Sequence, residues 1–337
     1  MRILITGAAG GIGSTLGCYL NSKGHDLTLV DNLNNGYLEN LTVNNERFGE
    51  FNKIDILDTQ LLVNLIRKKR IQIIIHLAAI TALPECEKNP KLCFSVNVSG
   101  TASVLNAARN CGIKRVVFAS TGAVYENNHY TESPFKEDLE VSPRLFYSLS
   151  KKLAEEICIS YEKNYEMEIP ILRFFNVFGP RQDIHRKSPP LINYLVREFE
   201  KGESPILHSD GNQARDYVHV DDVCKIIEIC QYNPLAHNNI WNVSTKKLIS
   251  VNRIVEIIKE ALNSPIDASY REAAKLWDSY PELFQGAISL NKNIIEKETN
   301  KFALGDNQKA KDLLGWNPNE NIEELIAKTA LEIKKRG

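Results

Sequence analysis

A tyrosine and a lysine four residues apart, Tyr147 and Lys151, could form an acid–base pair. An offset of four residues places both side chains on one face of a helix, one turn apart. A lysine ammonium beside a phenol favours the phenolate and lowers the pKa of the tyrosine from its usual value of about 10. The spacing therefore predicts a base that works near neutral pH, although such pairs are also common on exposed helix surfaces.

Ser120 and Thr121 strengthen this interpretation because they end a predicted strand. The carboxyl ends of parallel strands form the edge of the sheet where such folds bind their ligands. Thr121 could hydrogen-bond the same substrate oxygen as Tyr147 and relay its proton. The alternative is that the two polar residues only cap the end of the strand.

A glycine-rich stretch, Gly7-Ala-Ala-Gly10-Gly-Ile-Gly13, follows the first predicted strand and opens a helix. In that context the phosphates of a ligand can approach backbone N–H groups at the start of the helix. The glycines are spaced three and three, whereas the commonest dinucleotide motif is spaced two and three. A flexible turn between strand and helix is the alternative interpretation.

Two acidic residues follow the next predicted strands. Asp31 ends the second strand, where a carboxylate can accept hydrogen bonds from both hydroxyls of an adenosine ribose. Because a carboxylate repels a 2′-phosphate, Asp31 predicts NAD rather than NADP as the cofactor. Asp55 follows the third strand and either lies beside the adenine or forms a loop or helix cap.

The elements that must position these residues alternate along the first half of the chain. Strands are predicted over 3–6, 27–30, 72–78, 115–120 and 169–175. Helices are predicted over 12–23, 58–69, 91–111 and 148–166. The middle strands are continuously apolar, as expected when helices cover both faces of a sheet. The pattern therefore predicts an α/β protein with a doubly wound, Rossmann-like parallel sheet.

The pattern changes after Gly179-Pro180. Strands are predicted over 205–208, 216–220 and 239–243, and helices over 190–201, 250–262, 307–314 and 321–335. The strand over 239–243 is expected to return to the main sheet. We predict a cofactor domain over 1–177, to which 214–247 returns, and a smaller mixed α/β substrate domain over 178–337. The stretch 265–300 shows no clear period, and Asp221-Asp222 indicates a helix cap and first turn more than a metal site.

Composition excludes several classes of function. The 337 residues include 41 basic and 42 acidic side chains, a balance that attracts neither nucleic acid nor an anionic membrane. The basic run 67–70 is interpreted as a solvated helix end. No apolar run reaches the roughly 20 residues needed to span a bilayer, and the first strand begins too early for a signal peptide. The seven scattered cysteines predict no zinc site, other metal site or disulfide framework, so we expect a cytoplasmic protein.

Several further motifs carry a family resemblance. They are GAAGGIG, DNLNNG (31–36), HLAA (76–79), SVNVSGT (95–101), FASTGAVYE (118–126), YSLSK (147–151), LRFFNVFGPRQ (172–182), RDYVHVDD (215–222) and LLGWNP (313–318). In this order they resemble the extended short-chain dehydrogenase/reductase family, in particular its nucleotide-sugar epimerases and dehydratases. Within that group the UDP-glucose 4-epimerases are the most similar.

The resemblance implies a complete NAD site. The residues implied to line the pyrophosphate are Gly7, Gly10, Gly11, Ile12 and Gly13. Those implied to hold the adenosine are Asp31, Asn32, Leu33, Asn35, Gly36, Asp55 and Ile56. Those implied to border the rest of the cofactor are Leu77, Ala78, Ala79, Asn97, Tyr147, Lys151 and Phe175.

The resemblance also implies a substrate site and a reaction at C4 of a hexose. Tyr147 would be the base, Lys151 its helper and Thr121 its hydroxyl partner, while Asn176 and Arg215 would hold a nucleotide-diphosphate sugar. An arginine can grip phosphate oxygens in a bidentate way, and the alternative for Arg215 is an ion pair with a neighbouring aspartate such as Asp216. Family members usually dimerise through the helices that match 91–111 and 148–166, so a homodimer is expected.

Two small residues after Thr121 favour one branch of this chemistry. Dehydratases of the family usually carry an Asp-Glu pair at this point, and decarboxylases a glutamate, whereas this chain has Gly122-Ala123. Neither residue can transfer a proton, and their small size leaves room for a 4-keto sugar to turn over. A 4-epimerase of a UDP-hexose, its sugar neutral, a uronate or N-acetylated, is therefore the leading hypothesis. A 4,6-dehydratase or 4-dehydrogenase and a non-catalytic NAD-sensing scaffold are the alternatives.

One expected residue is missing from the pattern. Relatives carry an arginine that grips the diphosphate before the LGW motif, where this chain has EKETNKFALGD (296–306). Lys297 or Lys301 could take its place, but a lysine is a point charge without the guanidinium fork.

Overall fold

The computed structural model describes residues 1–44, 46–128, 133–184, 186–187, 189–285, 288 and 290–336. The strands of the first half are β1 (Arg2–Thr6), β2 (Asp26–Asp31), β3 (Thr42–Val43), β4 (Glu46–Arg47), β5 (Glu50–Lys53), β6 (Ile73–His76), β7 (Val116–Thr121) and β8 (Ile171–Phe174). Those that follow are β9 (Asn176–Phe178), β10 (Ile206–His208), β11 (Ala214–His219), β12 (Ile240–Val243), β13 (Leu248–Ser250) and β14 (Ser269–Arg271).

Helices separate these strands. The helices of the first half are α1 (Gly11–Ser22), α2 (Thr59–Lys69), α3 (Leu83–Lys88), α4 (Pro90–Phe94), α5 (Gly100–Asn110) and α6 (Phe146–Tyr165). Those that follow are α7 (Leu191–Glu200), α8 (Val220–Tyr232), α9 (Val251–Leu262), α10 (Lys292–Asn300), α11 (Gln308–Leu314) and α12 (Ile322–Arg336). The helix predicted over 91–111 is divided, because a π-helical turn over Ser95–Ser99 lies between α4 and α5.

The predicted Rossmann-like fold is confirmed. One sheet runs in the order β12-β8-β7-β6-β1-β2-β5, and all of its pairs are parallel. Ile3 and Ile5 pack into the core on one face of the sheet and Leu4 into the core on the other. All three side chains are buried, so helices cover both faces and continuous apolar strands are stable there.

This topology brings the candidate residues together at one edge. The glycine-rich turn follows β1, Asp31 ends β2, and Thr121 ends β7. Because all these strands are parallel, their carboxyl ends lie on the same side of the sheet, where such folds bind ligands. The predicted return of 239–243 is also confirmed, since β12 pairs with β8 from Ile240 opposite Ile171.

The second half adds smaller sheets and a third core. Strand β11 pairs with β9 and β13 instead of the main sheet, and β10 pairs with β14. Helices α7, α9 and α12 pack around a separate apolar cluster that includes Leu195, Ile258 and Ile326. These contacts place a second lobe beside the carboxyl edge of the main sheet, while the boundary at 177/178 stays a prediction.

Two smaller expectations are refined by the helix ends. The basic run ends α2 at Lys69, and Arg70 follows in the left-handed conformation with φ +51°. Helix α8 begins at Val220, and the His219 side chain caps it by accepting from the Asp221 N–H. Asp221 and Asp222 therefore lie in the first turn, where negative charge is favourable, but neither is the cap.

Three further features concern the described residues. None of their helices is long and apolar enough to cross a membrane. They contain no group of three or more His, Cys, Asp or Glu side chains that could hold a metal ion. All seven cysteines are free thiols.

Candidate functional site

The glycine-rich turn holds the backbone close to a neighbouring segment. Gly7 has φ +69°, and a Cβ there would lie 2.7 Å from the Ala78 nitrogen. A Cβ on Gly13 would lie 2.2 Å from the Gly7 oxygen. A side chain at either position would force the turn apart, so both glycines are required by close backbone approach.

The start of α1 is open to an anion. Gly10 is the residue before the helix, it supplies no side-chain cap, and the first turn contains no acidic residue. A Cβ on Gly10 would meet only the Gly7 oxygen, at 3.4 Å, and both Gly10 and Gly11 line the large cavity described below. The first N–H groups of a helix lack partners within it, and the helix dipole favours negative charge at this end. The turn therefore fits a pyrophosphate.

Asp31 is fixed by two backbone hydrogen bonds. Its carboxylate accepts from the Ala9 N–H at 3.0 Å and from the Leu33 N–H at 2.8 Å, one bond on each oxygen. Burial raises the pKa of Asp31, and these two hydrogen bonds oppose that effect. Each carboxylate oxygen keeps a lone pair for a further donor, so ribose hydroxyls can bind there.

Asp55 lies at the cavity wall and organises a loop, while its position beside the adenine stays a prediction. It lines the cavity, and its carboxylate accepts from the Leu57 N–H at 2.9 Å and from the Asn32 side-chain amide at 3.0 Å. The cap of α2 is a different residue, Asp58, which accepts from the Leu61 N–H. Asp55 is therefore a loop-forming residue at the cavity wall and not the helix cap.

Most of the other residues assigned to the cofactor also line the cavity. They are Ile12, Asn32, Asn35, Gly36, Ile56, Leu77, Ala78, Ala79 and Phe175. Leu33 and Asn97 do not appear in the cavity wall. Asn97 instead holds the backbone of Ile80 through both ends of its amide and donates to the Ser150 hydroxyl at 2.9 Å. It thus fixes the loop after β6 against α6, which is an indirect contribution to the site.

Thr121, Tyr147 and Lys151 meet at the carboxyl end of β7. The Thr121 hydroxyl accepts from the Ala123 N–H at 3.1 Å, and its hydrogen bond to the half-buried Tyr147 favours the phenolate. Lys151 is 4% exposed, and its ammonium lies 4.2 Å from the centre of the Phe118 ring. The arrangement matches a hydroxyl, a phenol and a cation around one substrate oxygen.

The charge states differ from the sequence prediction. Burial raises the pKa of Tyr147 to about 12 and lowers the pKa of Lys151 to about 8. The expectation that Lys151 lowers the pKa of Tyr147 is therefore wrong for the protein alone. Desolvation penalises the phenolate more strongly than the nearby groups stabilise it. Additional positive charge is needed before Tyr147 becomes a base near neutral pH.

A buried ion pair lies next to this group. Glu155, one turn after Lys151 on α6, is bound by two nitrogens of Arg173 on β8 at 2.9 and 2.8 Å. Its carboxylate also accepts from the Ser120 hydroxyl at 2.5 Å, and Arg173 donates to the Tyr125 hydroxyl at 2.7 Å. The network joins α6, β7 and β8 next to Thr121 and Lys151.

Gly122 lies against the ring of Phe175. A Cβ on Gly122 would lie 3.1 Å from the Phe175 ring, and one on Gly305 would lie 2.6 Å from the same ring. The small size of Gly122 therefore accommodates Phe175. Gly122 and Ala123 both line the cavity, and the expectation that they leave room for a turning sugar stays a prediction.

Arg215 and Lys301 are engaged with the chain itself. The Arg215 guanidinium donates to the backbone oxygens of Glu298 at 3.0 Å, of Thr299 at 3.4 Å and of Lys301. The Lys301 ammonium pairs with the Glu298 carboxylate. The suggested ion pair between Arg215 and Asp216 does not form, because Asp216 accepts hydrogen bonds from Thr245, Lys246 and Gly305.

Arg215, Lys301 and Asn176 nevertheless line the cavity. Lys297, the other lysine suggested for the diphosphate, is exposed and lies outside the cavity wall. Of the two lysines, Lys301 is therefore the one placed to face a ligand.

The sequence missed a second wall of the cavity. Its residues lie in two irregular segments and include Gln182, Asp183, Arg186, Arg271, Lys275, Trp277 and Tyr280. We call the described residues of 182–187, together with 271–280, the substrate wall. Only β14 and a 3₁₀ helix over Ala273–Ser279 give regular structure to the second segment. Neither segment has a hydrophobic period, so no pattern in the sequence could have placed it.

The cavity between the two lobes has a volume of about 1280 Å³. It extends from the glycine-rich turn and Asp31, past Thr121 and Tyr147, to the substrate wall. The anion-accepting turn, the ribose-binding carboxylate and the nearby Tyr–Lys pair together fit a dinucleotide with a second ligand beside it.

Comparisons with known proteins agree with this geometry. Residues 3–244 match the family model described as "NAD dependent epimerase/dehydratase family". A UDP-glucuronate 4-epimerase of Thermodesulfobacterium geofontis is 31% identical over 336 residues, covering 97% of this chain and 94% of the relative. A UDP-glucose 4-epimerase of Mycolicibacterium smegmatis is 32% identical over 332 residues, covering 98% and 97%.

A solved structure of similar shape extends this agreement to the whole fold. UDP-glucose 4-epimerase of Thermotoga maritima, solved with UDP-glucose, has a TM-score of 0.87 at 26% identity and covers 100% of this chain and 99% of its own. The protein is an enzyme and its cofactor is NAD. The chain belongs to the NAD-dependent epimerase/dehydratase family.

Proposed function

We propose that this protein is a 4-epimerase that inverts C4 of a nucleotide-diphosphate hexose, with UDP as the nucleotide. The observation that carries the proposal is the group of Thr121, Tyr147 and Lys151 at the end of β7, followed directly by Gly122 and Ala123. The group can remove and return a proton at one oxygen. The two residues after it add no acid or base for a further step.

The chain's own residues would share the proton transfer. Tyr147 would accept the proton of the C4 hydroxyl, and Thr121 would hydrogen-bond the same oxygen and hold it in place. When bound, NAD supplies the hydride acceptor and donor for the oxidation and reduction at C4. Lys151, buried beside this group, would anchor the cofactor ribose and add positive charge. Tyr147 would then return a proton to the oxygen of the inverted sugar.

The proposed roles of the remaining residues follow from their positions. Gly7, Gly10, Gly11, Ile12 and Gly13 would surround the pyrophosphate, and Asp31 would hold the adenosine ribose. Asn176 and Arg215, which both line the cavity, would face the sugar nucleotide. UDP is supported by relatives and neighbours that are named for UDP sugars.

We further propose a homodimer that buries α5 and α6. These helices correspond to the predicted 91–111 and 148–166 regions, and Leu153 on α6 is 40% exposed. Light scattering of the purified enzyme is expected to give twice the mass of the chain. A Leu153→Glu variant would then shift the mass toward that of one chain.

A product assay tests the proposed reaction. The enzyme is incubated with NAD and a panel of UDP-, dTDP-, GDP- and CDP-hexoses, and the sugars are followed by NMR. We expect a C4-inverted product without net formation of NADH. A 4-keto-6-deoxy product would establish a dehydratase, and stoichiometric NADH would establish a 4-dehydrogenase. NAD binding without turnover of any sugar would favour the sensing scaffold.

A further inference from the structure

Arg186 brings an unpaired positive charge into the cavity. It lies in the segment 182–187 of the substrate wall, and its side chain lines the cavity. Its Nε atom is buried without a hydrogen-bond partner. Within the described part of the chain, the guanidinium forms neither a hydrogen bond nor a salt bridge.

Two other arginines near the cavity donate to oxygens of the chain itself. Arg215 donates to backbone oxygens around 298–301, and Arg181 donates to the oxygens of Asn40 and Thr42. A guanidinium has five N–H donors, and a buried donor without an acceptor is costly. The unsatisfied state of Arg186 therefore indicates that an acceptor is brought by the ligand.

The position of Arg186 identifies which part of the ligand it meets. The charge of Arg186 lowers the pKa of Tyr147, and the Tyr147 phenol in turn favours the charged form of Arg186. The packing agrees with this, because helix α3 contacts both sides: Leu83 packs on the cluster of Trp277 and Tyr280, and Tyr147 packs on the cluster that includes Cys86. In the proposed function Tyr147 contacts the oxygen on C4. Arg186 therefore lies near the sugar and away from the adenosine end of the cavity.

The neighbouring acids leave this charge available. Asp183, Glu85 and Tyr280 are the groups that favour the charged form of Arg186, while burial lowers its pKa. Asp183 accepts from the backbone N–H of Arg186 at 3.1 Å, but its carboxylate forms no salt bridge with the guanidinium within the described residues. These groups offset part of the Arg186 charge, and within the described residues they accept no hydrogen bond from its guanidinium.

We propose that Arg186 binds the C6 carboxylate of a nucleotide-linked hexuronic acid, so that the substrate is a uronate and not a neutral hexose. The proposal rests on the 4-epimerase function. C6 is carried by C5, the neighbour of the reacting C4, so a group beside Tyr147 is placed to reach it. A carboxylate matches the planar fork of a guanidinium in two parallel hydrogen bonds, whereas a C6 hydroxyl would satisfy only part of it.

A pair of matched ligands tests the proposal. The affinities of the NAD-loaded enzyme for UDP-glucuronate and UDP-glucose are measured by calorimetry, since these ligands differ only at C6. We expect the uronate to bind more tightly. Arg186→Met is expected to weaken uronate binding by about 10- to 100-fold, the usual value of a hydrogen bond to a charged group, and to change UDP-glucose binding by less than about threefold.

Two further variants test whether uronate binding depends on the charge of Arg186, on its guanidinium geometry or on surface charge in general. Arg186→Lys keeps the charge without the fork and is expected to recover part of the uronate affinity. Lys328→Met removes a cation on α12 that is 70% exposed, pairs with Glu332 and lies outside the cavity wall. This variant is expected to leave the ratio of the two affinities within about twofold of the wild type.

The outcomes distinguish this proposal from the proposed function. Equal loss of both affinities in Arg186→Met, or a wild-type preference for UDP-glucose, would overturn the assignment of Arg186. Turnover of both ligands is followed separately by NMR. C4 inversion of UDP-glucose with no uronate preference would leave the epimerase function standing. A uronate preference without any C4 inversion would support Arg186 and contradict the epimerase.

Discussion

The two walls of the cavity are built in different ways. The cofactor wall consists of turns that directly follow the parallel strands β1, β2, β6 and β7, and its polar groups are held by short backbone hydrogen bonds. The substrate wall consists of the irregular segments 182–187 and 271–280, whose cations lie beside aromatic rings or without partners. Thr121, Tyr147 and Lys151 lie between the two walls.

This difference separates a wall that the main sheet holds in place from one that can vary. A turn fixed by a strand on one side and a helix on the other cannot move without disturbing the main sheet. A loop that contacts the rest of the protein mainly through its side chains can change without that cost. We therefore expect the cofactor wall to determine NAD binding and the chemistry at C4, and the substrate wall to determine which sugar is accepted.

Replacing Tyr147 by phenylalanine gives the largest expected effect on turnover. The variant keeps the ring but removes the hydroxyl that transfers the proton, so turnover is expected to fall by about 10²- to 10⁴-fold. NAD affinity, followed by quenching of tryptophan fluorescence, should stay within about threefold because the cofactor wall is intact. A variant with more than a tenth of the wild-type turnover would show that the base lies elsewhere.

Breaking the buried ion pair under the site gives the largest expected effect on stability. Glu155 and Arg173 are 0% and 2% exposed, so Glu155→Gln leaves a buried charge without its partner. The free energy of unfolding is expected to fall by about 3–5 kcal/mol in urea titrations.

An exposed ion pair between α3 and the second half of the chain provides a control. Lys88 pairs with Glu282 at 3.2 Å, and its side chain is 60% exposed. Lys88→Met is expected to change the free energy of unfolding by less than about 1 kcal/mol, because solvent screens exposed pairs. Equal losses in the two variants would contradict the distinction between a rigid half and an adaptable wall.

Replacing Asp31 by asparagine sharpens the comparison on the cofactor side. The amide keeps the shape of the side chain but loses its negative charge, so NAD affinity is expected to fall by about tenfold. The preference for NAD over NADP should narrow as well, since the repulsion of a 2′-phosphate is removed. UDP binding, measured by calorimetry, should not change. A variant that discriminates as well as the wild type would show that Asp31 does not contact the ribose.

The smallest expected effect is a shift in the pKa of Tyr147. Burial sets the pKa of Tyr147 to about 12 in the protein alone. A cationic cofactor beside the phenol favours its ionised form, so NAD⁺ should lower this pKa and allow proton transfer at lower pH. Turnover should then decrease as the pH falls through the lowered value.

Ultraviolet difference spectra of the phenolate measure this shift, with Tyr147→Phe subtracting the other tyrosines. The same titration curve with and without NAD⁺ would contradict the electrostatic account.

The same contrast explains what the sequence could predict. The hydrophobic runs of β1, β6 and β7 and the glycines of the first turn follow from burial on two faces and from backbone geometry, so the cofactor wall was predictable. Arg186 and Trp277 lie in segments without a period, and their positions depend on how the second lobe packs. The raised pKa of Tyr147 was also missed, because the spacing to Lys151 shows proximity but not the desolvation that opposes it.

Gly122 shows a further limit. Its size was visible in the sequence, but the ring of Phe175 that packs on it was brought there by the parallel pairing of β7 with β8. A small residue near a site can serve either the ligand or a neighbouring side chain. Only the three-dimensional contacts decide between them.

The central claim is that this site inverts C4 and returns the hydride that it removes. The most direct measurement uses UDP-hexose labelled with deuterium at C4 and follows both epimers by NMR with a catalytic amount of enzyme. We predict that the deuterium is retained at C4 in the inverted product, with no accumulation of a 4-keto sugar. Loss of the deuterium to solvent, or its transfer to C6 of a deoxy sugar, would contradict the claim.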